Sequence, residues 1–412
     1  MKYKEERLNF ILFSLGKTLS VFGTSIYTFA IGLYVLEITG SGLNFALNLV
    51  MNIIPMLLIN PFAGVIADKL DKKKLVVLMD LLNGIFFLIL FFVSGVYGFE
   101  LPMIYLSTLI TTIFTTIFGV TMESAIPNIV SENKLMNINS VSKIIDSISS
   151  IIGPMVGGIV FAFLDIRLFI LINGASFIFS GILEMFIDFQ YKHYDEEKEK
   201  VKSNFSIEIK EGFRYLRERE DIKSSFGVLT LLNFFIGFSA TVPLPYIINN
   251  ILSLGSESLG IIQSAFPLGM ILGATMIKSI FEKIPYKKVL QYSNIVISMC
   301  IVMLGVPIIF GNIIFEPKVY LIYYFVVMIF FGISISFIDI PIIYLMQKLV
   351  SDEYRGRVFS IGKSMVQAIL PIGLILSGYL ISKIPVYIIT IIGGIFLMLG
   401  NLILIHKNTI KG

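Results

Sequence analysis

Gly64-Val-Ile-Ala-Asp68-Lys69-Leu-Asp71-Lys72-Lys73-Lys74 sets four lysines and two aspartates against the end of a long apolar run. The chain is 56% hydrophobic and 15% charged, with a mean hydropathy of +0.87. Soluble domains carry about 25% charged residues. In so apolar a chain, a cluster of this kind belongs where a membrane segment meets water. A helix needs about 20 residues to cross hydrocarbon, so 412 residues hold about twelve crossings with their loops. Strands of a lipid-facing barrel would alternate apolar and polar residues. Runs such as Phe86-Phe-Leu-Ile-Leu-Phe-Phe-Val93 do not alternate, and they read as helices.

Working outward from that cluster, the apolar runs predict helices over 10–36, 42–67, 75–97, 101–127, 139–164 and 168–189. A second set follows over 224–249, 257–280, 289–311, 319–347, 358–382 and 385–405. Of the 32 Lys and Arg residues, all but Lys17, Arg167, Lys318 and Lys383 fall at the termini or beside the connections that follow even-numbered helices. Basic residues are retained on the cytoplasmic side. This bias predicts both termini in the cytoplasm and an even number of crossings. It also accounts for the net charge of +4 without any nucleic-acid partner.

The fold class read from this pattern is an all-α membrane protein of twelve transmembrane helices in two pseudo-symmetric six-helix bundles. The bundles cover 1–189 and 224–412. Between them, 190–223 begins as a charge run, Tyr194-Asp-Glu-Glu-Lys-Glu-Lys. It continues with Phe205, Ile209, Phe213 and Leu216 at helical spacing, which predicts an amphipathic helix on the membrane surface. The halves share an internal repeat at an offset of 220. Ile129-Val-Ser-Glu-Asn-Lys-Leu lies over Leu349-Val-Ser-Asp-Glu-Tyr-Arg, Ser140-Val-Ser-Lys143 over Ser360-Ile-Gly-Lys363, and Gly153 and Gly158 over Gly373 and Gly378. Duplicated halves around a central site are a transporter architecture.

Other classes find little support. Cys300 stands alone in an apolar run, and the two histidines flank apolar segments, so no metal-ligand spacing and no cofactor site is read. Gly362-Lys363-Ser364 lacks the preceding glycine at the spacing a phosphate loop requires. A membrane enzyme would need clustered ionisable or metal-binding groups, and a receptor would bind without flux. The basic start leads into an apolar run too long for a cleaved signal, so the first helix is expected to stay as an anchor.

With no ATP chemistry, the energy source is an ion gradient. An ion-coupled carrier needs ionisable groups inside the membrane, where each is a functional candidate. Four are read: Lys17 in the first helix, Glu123 in the fourth, Asp146 in the fifth and Asp339 in the tenth. Each carboxylate is a candidate to take up and release protons. The competing reading is structural pairing, Lys17 with Asp146, or Glu123 with a lysine of 69–74. Asn48, Asn52, Thr112, Thr115 and Asn233 either wet a cavity or bond helix to helix. Gly64 is expected to allow close helix approach, and Asp68 to accept hydrogen bonds at a helix N-terminus. Gly153-Pro154-Met-Val-Gly157-Gly158 gives the fifth helix small residues for close packing and a bend.

These fragments together resemble the major facilitator superfamily over nearly the whole chain. The resemblance is greatest to the drug:proton antiporter branch that contains macrolide-efflux proteins and the enterobactin exporter. Besides Gly64–Lys74, it rests on Gly16-Lys-Thr-Leu-Ser20-Val-Phe-Gly23, Thr39-Gly-Ser41, Glu211-Gly-Phe-Arg-Tyr-Leu216 and Asp352-Glu-Tyr-Arg355-Gly-Arg357-Val-Phe. The resemblance implies an alternating-access carrier. It implies a conformational latch of Gly64, Asp68, Lys69, Lys72, Lys73 and Glu123, in which Lys72 pairs with Glu123 and Asp68 holds the start of the eleventh helix. Gly153, Pro154, Gly157 and Gly158 resemble an antiporter motif, although Ser149 stands where that motif prefers glycine. The arginine some proton antiporters carry in the fourth helix is absent between Tyr105 and Pro127. The expectation is therefore a monomeric, multi-pass exporter of the inner membrane, not an enzyme. It exchanges protons for a hydrophobic or amphipathic, drug- or macrolide-like small molecule. The alternative is a dedicated exporter of an endogenous metabolite such as a siderophore, or a lysophospholipid transporter.

Overall fold

A computed structural model describes residues 2–189, 218–281, 283–309, 316–350 and 364–407, with the isolated positions 214, 358 and 362. Every regular element among them is helical. The first half runs α1 (Lys2–Thr39), α2 (Gly42–Lys69), α3 (Lys72–Tyr97), α4 (Leu101–Ile129), α5 (Glu132–Phe163) and α6 (Ile166–Met185). The second runs α7 (Glu220–Ile236), α8 (Gly255–Phe281), α9 (Tyr286–Ile309), α10 (Pro317–Leu349), α11 (Leu370–Ile381) and α12 (Val386–Lys407). Among the described residues, twelve helices are long and apolar enough to cross a membrane. The amphipathic stretch expected at 190–223 lies outside the described residues, apart from the last few that lead into α7.

Local chemistry sets the helix ends. Asp71 caps α3 by accepting from the Lys74 amide at 3.2 Å, and Asp165 caps α6 by accepting from Arg167 at 2.8 Å. Gly98 closes α3 at a φ of +80°, which a side chain would resist, and its N–H returns to the Ser94 carbonyl. α1 starts earlier than its apolar run because its polar first turns are tied down. Glu6 accepts from the Ser131 amide at 2.8 Å. Asn9 donates to the carbonyls of Ile129 and Asp188 and accepts from the Asp188 amide.

The chain divides into two compact units, Met1–Thr39 with Asn48–Glu199, and Gly40–Leu47 with Lys200–Gly412. In the first, α1 packs on α4, α5 and α6, and α3 packs on α4 and α6. In the second, α7 packs on α12 and α11, and α9 on α10 and α12. Helices six places apart thus repeat α1–α5, α1–α6, α3–α4 and α3–α6. Lipid tails are as apolar as leucine, so such pairs are held by shape and hydrogen bonds. Phe87 stacks on Phe177 at 5.7 Å, Tyr27 meets Phe87 edge-on, and the Tyr27 hydroxyl bonds Ser107 at 2.7 Å. Large apolar side chains such as Leu58, Phe92 and Ile403 stand exposed on outer faces, as hydrocarbon solvent permits.

The seventh span departs from the continuous helix expected over 224–249. After α7 it widens into π turns at Gly237–Thr241 and Ile247–Ile251, on either side of Pro243–Tyr246. Pro243 and Pro245 have no N–H to give the preceding turn, and the wider turns accommodate the gap. Thr241 supplies a hydroxyl bond to the Ile236 carbonyl at 3.1 Å. The described part of the eleventh span likewise breaks at Ile369, just before Pro371.

Candidate functional site

Lys17 sits on the packed face of α1 with 8% of its side chain exposed. A lysine there needs a partner. It has two, both one turn apart on α5: the Asp146 carboxylate at 3.0 Å and the Ser142 hydroxyl. Lys17 and Asp146 are therefore brought together, as the pairing reading expected. Asp146 remains 37% exposed, and the opening it faces is a cavity of about 290 Å³. Ser20, Val21, Thr24 and Ser25 of α1 line it, with Thr115 and Phe118 of α4 and Asp146, Ser149 and Ser150 of α5. Most of the hydroxyls along this wall bond protein partners, Thr24 the Ser20 carbonyl, Ser25 that of Ser149, Thr115 that of Thr111 and Ser150 that of Ser147. The surface they leave to the cavity is therefore largely apolar around the one carboxylate.

The glycines of α5 explain why this wall can form. A Cβ at Gly153 would stand 2.8 Å from the Ser25 Cβ, and one at Gly157 would stand 2.9 Å from the Phe29 ring. Both glycines let α5 close on α1, while Ser25 donates to the Ser149 carbonyl at 2.9 Å. Pro154 withdraws the N–H that would have met the Ser150 carbonyl. Gly158 is buried beside them.

The remaining expected residues are more scattered. Thr115 lines the cavity, but Thr112 does not: it accepts from Asn52 at 3.0 Å, and Thr108 donates to Asn48 at 2.8 Å, so these side chains tie α2 to α4. Asn233 donates to the Leu229 carbonyl of its own helix. Glu123 is exposed on α4, and the Lys72 ammonium reaches the Ser124 carbonyl at 2.9 Å, not the Glu123 carboxylate. Among the described residues nothing stands within 4 Å of a Cβ at Gly64, so no described neighbour demands glycine there. The side chains of Asp68 and Lys69 lie outside the described set, and Lys73 is half-buried on α3. Asp339 is half-buried on α10, and among the described residues no hydrogen bond or ion pair reaches it. The second unit has its own smaller cavity of about 160 Å³, against the π turn of the seventh span. It is lined mainly by apolar groups, with Thr241 and Gln263 as the polar ones.

Two acidic residues escaped the sequence reading. Asp80 on α3 and Glu184 on α6 are 1% and 0% exposed. Ser20 is hydrogen-bonded to Asp80 and lies 2.9 Å from Ser180, and Ser180 reaches the Gly16 carbonyl at 2.9 Å and Glu184 at 3.4 Å. The sequence did carry the signal: Gly16 and Ser20, and Ser180 and Glu184, stand four apart and so share a helix face.

Comparisons with known proteins agree with this architecture. A family model described as transmembrane secretion effector, of the major facilitator type, matches residues 8–411. Macrolide efflux protein A of Streptococcus pyogenes is 25% identical over 93% of this chain and 92% of its own. BacE of Bacillus subtilis (strain 168), named as a proposed bacilysin exporter, is 25% identical over 85% of this chain and 83% of its own. The crystal structure of a bacterial homologue of the iron transporter ferroportin, in an inward-facing state, superposes with a TM-score of 0.72 at 14% identity, over 97% of this chain and 99% of that one.

Proposed function

This chain belongs to the transmembrane secretion effector family of major facilitator transporters, and from that premise we propose that it exports an amphipathic small molecule in exchange for protons. The observation that carries the proposal is the Lys17–Asp146 pair, buried on the lysine side and open to a largely apolar cavity on the aspartate side. An ionised Asp146 holds α1 to α5 through Lys17. A proton arriving from the cavity neutralises Asp146, releases the ammonium and loosens that contact. Loss of the proton restores it. Alternating access would present this cavity to each side of the membrane in turn, with the Lys72–Lys74 end in the cytoplasm of a bacterial inner membrane. Val21, Phe118 and the apolar remainder of the wall would meet the apolar body of the substrate, and the Asp146 carboxylate its polar end. The similarity to a macrolide efflux protein favours a drug-like substrate. The similarity to BacE favours the second reading, a dedicated exporter of one endogenous compound.

The test is efflux of a labelled macrolide and a fluorescent lipophilic cation from cells expressing the chain, with and without a protonophore. Wild type is compared with Asp146→Asn and Asp339→Asn. Efflux that the protonophore abolishes, and that Asp146→Asn removes while Asp339→Asn does not, is the expected result. Efflux that survives the protonophore would overturn proton exchange. Protection against neither compound, with the protein in the membrane, would move the substrate to the dedicated-exporter reading.

A further inference from the structure

Counting hydrogens in the α1–α3–α6 interface exposes a second place where a proton must sit. Three close oxygen–oxygen contacts run in series: Asp80 to Ser20, Ser20 to Ser180, and Ser180 to the Gly16 carbonyl. Each needs one hydrogen between its oxygens. A hydroxyl supplies one and a carbonyl none, so the two serines supply two for three contacts. The third comes from a protonated Asp80, donating to Ser20, which donates to Ser180, which donates to Gly16.

Glu184 points the same way. It is fully buried, its Oε1 lies 3.4 Å from the Ser180 hydroxyl, and among the described residues its Oε2 has no partner. Asn83, one turn along α3 from Asp80, is also buried, and its amide has no partner among the described residues. Buried charges require a partner, and among the described residues no cation pairs with either acid. On α1 the interface is faced by Gly16 and Ser20, while Lys17 turns to Asp146 and Glu6 to Ser131. On α6 it is faced by Ser180 and Glu184; Arg167 lies over Phe91 at the other end. α4 packs against α3 with Phe118, Met122 and Ala125; its Glu123 is exposed and its Tyr105 lies at the far end. On α3 itself, Lys72 is engaged with Ser124 two turns away.

Ser20 also lines the cavity that Asp146 faces. We propose that Asp80, backed by Glu184, is a second proton-binding site, filled and emptied across the Ser20 hydroxyl from the Asp146 cavity. As a proton arrives on Ser20 Oγ from the cavity, the hydrogen that Ser20 held passes to the Asp80 carboxylate. Release runs the same two O–H exchanges backwards, and no other bond changes. The link to transport rests on the proton-exchange reading above; the site itself does not.

Infrared difference spectroscopy on the purified full-length protein in lipid tests the site, and proton uptake by proteoliposomes tests its use. A protonated-carboxyl stretching band that shifts in D₂O is expected. Asp80→Asn should remove it while keeping the fold, because the asparagine amide can still donate to Ser20. Ser20→Ala should retain the band and slow its deuterium exchange. Substrate-driven proton flux is expected to fall about 100-fold in Asp80→Asn, the lower end of what a positioned proton-transfer group supplies. Absence of the band in folded wild type, or a band that neither Asp80→Asn nor Glu184→Gln alters, overturns the site. Flux unchanged in Asp80→Asn overturns its role. A band lost in Asp80→Asn from a protein with no proton flux at all keeps the site and refutes proton exchange instead.

Discussion

Replacing Asp146 by asparagine keeps the shape of the α1–α5 contact and removes its charge, so the cost reads the ion pair itself. Two unit charges about 4 Å apart attract by about 4 kcal/mol at an effective dielectric constant near 20, before desolvation is subtracted. Breaking a buried pair costs about 3–5 kcal/mol, because the surviving charge is left uncompensated. An exposed pair contributes only about 0.2–1 kcal/mol. This pair is asymmetric: Lys17 is 8% exposed and Asp146 37%. Asp146→Asn leaves a buried ammonium with only neutral partners, the substituted amide oxygen and the Ser142 hydroxyl, and is expected to cost about 2–3 kcal/mol. Lys17→Met leaves a carboxylate that can turn to the cavity, and should cost about 1 kcal/mol or less. The double variant removes both charges, so a coupling energy of about 1–2 kcal/mol is expected in a double-mutant cycle. Unfolding free energies of the detergent-solubilised protein, from titration with a denaturing detergent, supply the four corners. Costs that add to within about 0.5 kcal/mol would refute the pair as a coupled unit. Equal costs for the two single variants would refute the asymmetry.

Two further expectations concern packing. Gly153→Ala places a methyl group 2.8 Å from the Ser25 Cβ and should destabilise by about 1–3 kcal/mol. Gly119→Ala meets nothing within 4 Å among the described residues and should stay within about 0.5 kcal/mol of wild type in the same titration. Asn9→Ala removes three hydrogen bonds that hold the start of α1 to the ends of α4 and α6. With bonds contributing about 0.5–1.5 kcal/mol each, and partners left unsatisfied, a loss of about 2–3 kcal/mol is expected. A loss under about 0.5 kcal/mol would show that the first turns of α1 are held by something else.

Hydropathy made the twelve crossings legible because a crossing is an average property of about 20 residues, robust to any single one. The breaks in the seventh span were equally written, in Pro243 and Pro245, but an average over the run conceals them. The Lys17–Asp146 pair was readable as a possibility because both residues interrupt apolar runs. Its choice over other partners needed the α1–α5 contact, which Gly153 and Gly157 permit and no spacing along one helix can reveal. The asparagines and threonines of α2 and α4 are ambiguous for a physical reason. The same groups satisfy one another across an interface or a substrate in a cavity, and only placement separates Thr115 from Thr112.

The distribution of polar residues along α1 shows why this helix touches both proposed proton sites. Glu6, Asn9, Lys17 and Ser20 are all buried, and at a spacing of i, i+3, i+11 and i+14 they form one stripe along α1. Asn9 reaches the ends of α4 and α6, Lys17 reaches α5, and Ser20 reaches α3 and α6. The polar stripe is turned to the neighbours that satisfy it, while Leu8, Ile11 and Leu15 on the opposite face are exposed. Turning the stripe to lipid instead would cost several kcal/mol for each group, so it fixes which face of α1 packs on α4, α5 and α6. That orientation is also what lets Ser20 touch the cavity on one side and Asp80 on the other. Movement of α1 against α5, when Asp146 takes a proton, would shift Ser20 relative to Asp80. The two proton sites are then expected to respond together, although no hydrogen bond joins Asp146 to Asp80.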